Sequence, residues 1–265
     1  MRLVTVEQIS EALTALGIRP GDGLLVHSAI QYLGRPVGGL EMYYRVICRA
    51  LNIDPSSVDQ VPGLNGTLAA PTFNFAFAQG GAYDPTQTPS AGMGAFSEYV
   101  RTRPEARRTP HPMQSLAVVG GYASDLTSRD TLSAFDSGSA FERMLELDFR
   151  LLLLGADIQA VSMLHYSEQR AEVPYRYWKE FSGQYRTPQG WERRTYRLFA
   201  RDLDLDARIE LYPIQRSLEE QGKWLSLPLN YGEIAACRLA DLVAEIDRWL
   251  AQDPWSLVIN RLTGV

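Results

Sequence analysis

The segment MLHYSEQRAE, residues 163–172, places a histidine and a carboxylate at a spacing suited to proton chemistry. His165 and Glu168 are three residues apart, and on a helix that spacing puts both side chains on one face. Imidazole changes its proton state near neutral pH, which makes histidine the usual general base. A carboxylate on its second ring nitrogen would fix one orientation and one tautomer, and would stabilise the imidazolium. Glu172 follows four residues after Glu168 and is a candidate for holding a cationic substrate. The chain has only three histidines. His27 ends a buried strand just before Ser28 and is the second candidate for catalysis. His111 sits between Pro110 and Pro112, where a rigid turn is the competing explanation.

Two further stretches could handle negative charge. In VHSAIQYLG a tight turn after a strand would present successive backbone N–H groups near Ser28 and Ala29, a setting for an oxyanion or a pyrophosphate. In RTRPEARRTPHP, Arg101, Arg103, Arg107 and Arg108 fall close together. Such a run can be a solvated face, but in an acidic chain it also suits a phosphorylated cofactor.

These residues need elements to hold them. Thr5 and Gln8 form a capping box ahead of the apolar stripe Ile9, Leu13 and Leu16, which predicts a first helix ending at Gly17. Short buried strands are expected at 24–28, 66–73, 115–120 and 149–155, and helices at 39–52, 94–102 and 139–147. Residues 53–65 are polar, and 74–92 read as a long loop of the kind that carries function. Two aromatic, partly alternating runs joined by TPQG predict a hairpin after Tyr175. Helices near 206–221 and 238–251 follow. The fold class is therefore α/β, with an antiparallel, helix-decorated C-terminal part. One domain over 1–265 is expected, with residues 1–174 carrying cofactor and catalysis and 175–265 facing the acceptor.

Bulk properties exclude several classes. At 265 residues the chain is long enough for one sizeable core. A net charge of −5 offers no nucleic-acid footprint. No apolar run is long enough to span a bilayer, and the first residues lack a signal-peptide core, so a cytoplasmic location is expected. Cys48 and Cys237 lie far apart in apolar helical patterns and read as buried thiols. No ligand cluster for a metal is apparent. A homodimer is left open.

In order and spacing, VHSAI, GTLAAPTF, YDP, GAFSEYVR, RRTPHPMQSLAVVG, LLLLGA and LHYSEQ resemble the aminoglycoside 3-N-acetyltransferase family. The resemblance covers roughly residues 5–180. It implies a mixed α/β fold distinct from that of the GNAT acetyltransferases, and transfer of an acetyl group from acetyl-coenzyme A directly to an amine. It makes His165 the base and Glu168 its orienting partner. The turn at His27, Ser28 and Ala29 would face the thioester, and Thr72, Thr109, His111 and Ser115 would line the coenzyme A or catalytic cleft. Arg108 joins these as a cofactor contact. Two departures stand out. The segment SRDTLSAFDSGSAF lacks the family's His and Pro, and NIDPSSVDQVPGLN is longer than usual.

The acceptor is expected to be a small-molecule amine of an amino sugar or aminoglycoside, held by carboxylates for which Asp84, Asp136 and Glu172 are the candidates. One alternative is a biosynthetic N-acyltransferase acting on a nucleotide amino sugar or a phosphonate-type metabolite. Another is a binding protein on the same scaffold without catalysis. A Ser-His-Glu hydrolase using Ser28 or Ser115 is disfavoured, because no G-x-S-x-G elbow is present.

Overall fold

A computed structural model describes residues 2–57 and 60–261. Val58 and Asp59, within the polar 53–65 stretch, therefore lie outside the described residues. The chain opens with β1 (Leu3–Val4) and α1 (Val6–Ala15). The Thr5 side chain accepts from the Gln8 N–H at 3.3 Å and the Gln8 side chain accepts from the Thr5 N–H at 3.0 Å, so the capping box forms. Next come β2 (Gly23–Ser28), β3 (Arg35–Pro36), α2 (Leu40–Ala50) and β4 (Thr67–Pro71). After a short 3₁₀ turn, Phe75–Gln79, follow α3 (Gly94–Arg101), β5 (Arg107–Arg108), β6 (Leu116–Gly120) and α4 (Ala123–Thr127). Then come α5 (Ala140–Glu146), β7 (Arg150–Leu154), α6 (Leu164–Arg170), β8 (Arg176–Thr187) and β9 (Gly190–Arg201). The last elements are α7 (Tyr212–Glu220), β10 (Leu225–Leu229), β11 (Gly232–Arg238) and α8 (Leu239–Gln252).

Seven strands form one mixed sheet in the order β10-β11-β7-β2-β4-β6-β5. The central strand β2 is parallel to β4 and β7, and the other pairs are antiparallel. Both faces of the sheet are covered, which explains why its central strands read as continuous apolar runs. Leu25, Leu151 and Leu153 point to one side, where Phe141, Met144, Leu164, Ile214 and Leu242 pack on them. Leu24, Val26, Leu152 and Leu154 point to the other, against Ile9, Leu13, Tyr43, Ile47 and Phe96. Each fully buried Leu of this kind contributes about 1.5–3 kcal/mol of transfer free energy.

The β8–β9 hairpin pairs with itself and not with the main sheet. An aromatic cluster of Phe77, Tyr83, Tyr185 and Tyr196, with Met113 and Leu198, docks it on the body. Phe77 belongs to the 74–92 stretch, so that loop is partly a packing element.

Two C-terminal expectations need correction. The helix expected near 206–221 is confined to Tyr212–Glu220, with Pro213 in its first turn. Proline lacks an N–H and is accommodated only at a helix start, so the helix cannot extend further back through it. The β10–β11 hairpin was not anticipated at all. Pro228 lies in β10, and a proline argues against a strand unless it is at an edge, which is where β10 sits. Both strands come from beyond residue 174, yet they extend the same sheet as β2 and β7.

Candidate active site

The carboxyl ends of the parallel strands β2, β4 and β7 fall on one edge of the sheet, the place where open α/β sheets gather their sites. His27 and Ser28 close β2, and Thr72 follows β4. Gly155 follows β7 and starts the loop to α6. Gly155 has φ +71, and a Cβ there would lie 2.7 Å from the Ala29 carbonyl oxygen, so only glycine lets the two loops pass.

His165 stands in the first turn of α6 and its N–H donates to the Ser162 carbonyl at 3.0 Å. The His165 Nδ1 lies 2.9 Å from Glu168 Oε2. The imidazole is 34% exposed and the carboxylate 0% exposed, so the pair runs from the cleft into the interior. His165 Nε2 has no protein partner among the described residues. The Phe135 ring meets the imidazole edge-on with centroids 5.8 Å apart. Burial pushes the Glu168 carboxyl upward, but the His165 hydrogen bond and charge, together with Arg176, outweigh it and hold it below its ordinary range.

Arg176, the first residue of β8, was not among the expected site residues. Its Nε lies 2.9 Å from the same Oε2. The contact is an ion pair, because the N–H is not aligned as a hydrogen bond. The other carboxylate oxygen, Oε1, is buried without a protein partner, as is the Tyr175 hydroxyl. Burial first, and the Glu168 charge second, raise the Tyr175 phenol well above its ordinary value. One signal in the sequence could have found Arg176: a buried glutamate needs a permanent cation, and this arginine opens the next element.

His27 is buried, and its Nε2 lies 3.3 Å from Ser162 Oγ. Desolvation, with His165 adding to it, lowers its pKa to about 4, so it is neutral in the physiological range. Ser28 Oγ is buried without a protein partner. The Ala29 N–H donates to the Leu154 carbonyl at 2.9 Å, so the strand register already occupies it and it is not an open anion donor.

Of the expected cofactor residues, Thr72, Arg108 and Ser115 meet in one hydrogen-bonded cluster, and Thr109 stands beside it, bonded to Leu116. Arg108 Nε donates to Ser115 Oγ at 2.9 Å and to Thr72 Oγ1 at 3.1 Å. Its remaining nitrogens reach the Thr72 and Thr88 carbonyls, and its guanidinium lies over the Tyr83 ring. Thr109 Oγ1 accepts from the Leu116 N–H at 2.8 Å. His111 Nδ1 accepts from the Gln114 N–H at 3.0 Å, the ring edge meets Tyr196, and burial lowers the imidazole to about 4. Arg108 is thus committed to internal bonds. Arg101 is likewise paired, with Glu98. Arg103 and Arg107 make no ion pair among the described residues, and both border a cavity of about 650 Å³ together with Thr86 and Gln87.

The expected acceptor carboxylates do not converge. Asp84 accepts from the Thr86 N–H and hydroxyl and so shapes its own loop. Asp136 accepts from Gln169, Arg197 and the Ser133 N–H, which ties the divergent 128–141 segment to α6 and β9. Glu172 lies beyond the end of α6 at φ +46 and is exposed. It therefore shares no helical face with Glu168. A smaller cavity of about 390 Å³ lies at the strand ends, with Ser28, Gly155, Asp157 and Glu233 on its wall.

Residues 25–251 match the family model described as aminoglycoside 3-N-acetyltransferase, and the chain belongs to that family. An aminoglycoside N(3)-acetyltransferase III from Salmonella sp is 33% identical over 181 residues, which is 66% of this chain and 63% of the relative. The chain thus spans less than two thirds of that relative's length. An aminoglycoside N(3)-acetyltransferase VIII from Streptomyces fradiae is 30% identical over 209 residues, 76% of this chain and 72% of that one. The crystal structure of aminoglycoside acetyltransferase AAC(3)-Xa is similar with a TM-score of 0.80 at 23% identity, covering 94% of this chain and 93% of the other. AAC-IIIb, solved as a binary complex with CoASH, is similar with a TM-score of 0.79 at 21% identity, covering 95% and 97%. These likenesses establish the mixed α/β fold. Among the described residues no helix is long and apolar enough to cross a membrane, and no group of three or more His, Cys, Asp and Glu is gathered as a metal site.

Proposed function

We propose that the protein transfers the acetyl group of acetyl-coenzyme A to an amine of an amino sugar or aminoglycoside, with His165 as general base. The observation that carries this reading is the His165–Glu168 contact at 2.9 Å, with the opposite ring nitrogen left without a protein partner. An alkylammonium is no nucleophile until it loses a proton. His165 takes that proton at Nε2, while Glu168 fixes Nδ1 as the protonated nitrogen and stabilises the resulting imidazolium. The free amine then attacks the thioester carbonyl, the C–S bond breaks, and the acylated nitrogen loses its extra proton to the departing thiolate, leaving the amide and the free thiol. Base catalysis of this kind supplies about 10²–10⁴ in rate.

Arg103 and Arg107 are the groups that fit the phosphates of coenzyme A. All four arginines border one cavity, but Arg101 is paired with Glu98 and Arg108 is bonded to Thr72, Thr88 and Ser115, whereas Arg107 makes no side-chain bond among the described residues and Arg103 bonds only to Tyr99 and Thr102 of its own turn. Asp157 and Glu233 fit the acceptor better than the carboxylates expected from sequence, because they share a cavity wall with Ser28 and Gly155.

A second reading, a biosynthetic N-acyltransferase, is favoured by the β8–β9 hairpin. It exposes Lys179, Arg186 and Arg193 against Glu180 and Glu192, while Arg194, Arg197 and Arg201 are paired with Asp130, Asp136 and Asp206. That surface suits an amine acceptor bearing a negative group better than a polycation. Thiol release from acetyl-coenzyme A over a panel of aminoglycosides, amino sugars and nucleotide amino sugars tests both. Release with none of them, in a protein that binds coenzyme A, sinks the enzymatic reading.

A further inference from the structure

Glu168 is wholly buried, and its two oxygens are used unequally. Oε2 receives both His165 Nδ1 and Arg176 Nε at 2.9 Å, while Oε1 has no protein partner. A buried carboxylate matched only by an imidazole would hold that imidazole in its charged form, since removing the proton would leave an uncompensated buried charge. A base held in that state has no site for the proton it must accept. A permanent cation beside the carboxylate removes the conflict. The arginine remains charged whatever the imidazole does, and it is itself largely buried, so its field is little screened.

We propose that Arg176 is a positioning residue for the His165–Glu168 pair: its guanidinium keeps the Glu168 carboxylate ionised and turned toward Nδ1, and so leaves the imidazole free to be neutral before it takes a proton. The assignment rests on the reading of His165 as the base. The charged and titratable groups around the pair come from three further directions. Arg176 reaches it from β8 and Tyr175 from the residue before that strand. His27 approaches from β2. His27 and Tyr175 are buried and stay neutral near pH 7, so Arg176 is the one that supplies fixed charge. The sequence adds a reason for its location. β8 leaves the body at this residue, so the hairpin's first side chain also completes the site.

The test uses the full chain labelled at histidine and arginine side chains, with the His165 ring followed by NMR against pH. In Arg176→Met, which keeps the aliphatic stem and loses the charge, the midpoint of the His165 titration should move up by about one pH unit. The acid limb of kcat/KM for acetyl transfer should move with it, so that activity one unit below the wild-type midpoint falls roughly tenfold. Arg176→Lys should hold the midpoint within about 0.3 unit while lowering kcat, because charge is retained and the planar fork is not. A merely structural role would leave the midpoint unmoved and make the two variants alike. A His165 midpoint in Arg176→Met within about 0.2 unit of wild type overturns the assignment. Where that variant does not fold, the wild-type Arg176 Nε–H signal decides: it should shift with the His165 midpoint, and an independent course overturns the proposal. A midpoint that moves while the acid limb does not leaves Arg176 in its role and removes His165 as the base.

Discussion

His27 Nε2 lies 3.3 Å from Ser162 Oγ, so the central strand touches the loop that leads into the His165 helix. That contact is made by a neutral ring. Together with His111 it gives the fold an acid sensitivity whose sign can be worked out. Both imidazoles are buried and lowered from 6.5 to about 4. Below pH 6.5 the unfolded chain takes up a proton at each position, and the folded chain refuses it until about pH 4. Their burial therefore costs no protonation free energy above pH 6.5, and stability is lost as pH falls from 6.5 toward 4. The loss reaches on the order of 3 kcal/mol for each. Thermal unfolding midpoints should fall across that window, and His111→Asn should flatten the fall. An unchanged slope in that variant would show that His111 is not a contributor.

His165→Ala should lower kcat by about 10²–10⁴ while the dissociation constant for coenzyme A stays within about twofold, because a base acts mainly in the transition state. Calorimetry with coenzyme A beside steady-state kinetics separates the two. Equal losses in both would mean that the imidazole binds cofactor.

Glu168→Gln keeps the shape of the buried side chain and removes its charge. Arg176 then becomes a buried cation facing a neutral amide, so a stability loss should accompany a fall in kcat of about 10–10³. Adding Arg176→Met to Glu168→Gln should recover part of that stability. If the double variant is less stable than the single one by the full additive amount, the two charges do not interact.

Arg103→Ala and Arg107→Ala should each raise KM for acetyl-coenzyme A by about 5–10-fold with kcat nearly kept, and the effect should shrink in high salt. Salt-independent kinetics in both variants would place the phosphates elsewhere.

Gly155→Ala should destabilise the protein, by about 1–3 kcal/mol for the left-handed backbone alone, with the close approach to Ala29 adding to it. A urea midpoint equal to wild type would show that the loop relaxes freely.

The central strands β2, β4, β6 and β7 and most helices were legible because their signals are local. Apolar runs bounded by glycine, a capping box at Thr5 and an i+3 pair at His165 and Glu168 each lie within a few residues. The pairing of His165 with Glu168 follows from helical geometry alone. Arg176 was signalled only indirectly, by the need of a buried glutamate for a permanent cation, since its contact depends on where the hairpin departs. Nor was the division of labour among the four arginines, because Glu98, Thr72 and Ser115 claim Arg101 and Arg108 through tertiary packing. The expected acceptor carboxylates do not converge for a similar reason. Asp84 and Asp136 are bound by neighbours that composition cannot reveal, and Glu172 falls past a helix end set by local backbone. The 128–141 segment matched no motif, yet it supplies Phe135 beside His165 and anchors Gln169.

The antiparallel pairing of β11 with β7 joins Arg238 to Arg150 and Ile234 to Leu154. A chain being synthesised carries the His165 segment out of the ribosome long before residues 232–238 exist. Until they do, β7 has an open edge and nothing holds the base of the Gly155 loop on that side. The centre therefore cannot be completed until residues 232–238 have been made, and a nascent chain arrested before that point would display a naked strand to any neighbour able to pair with it.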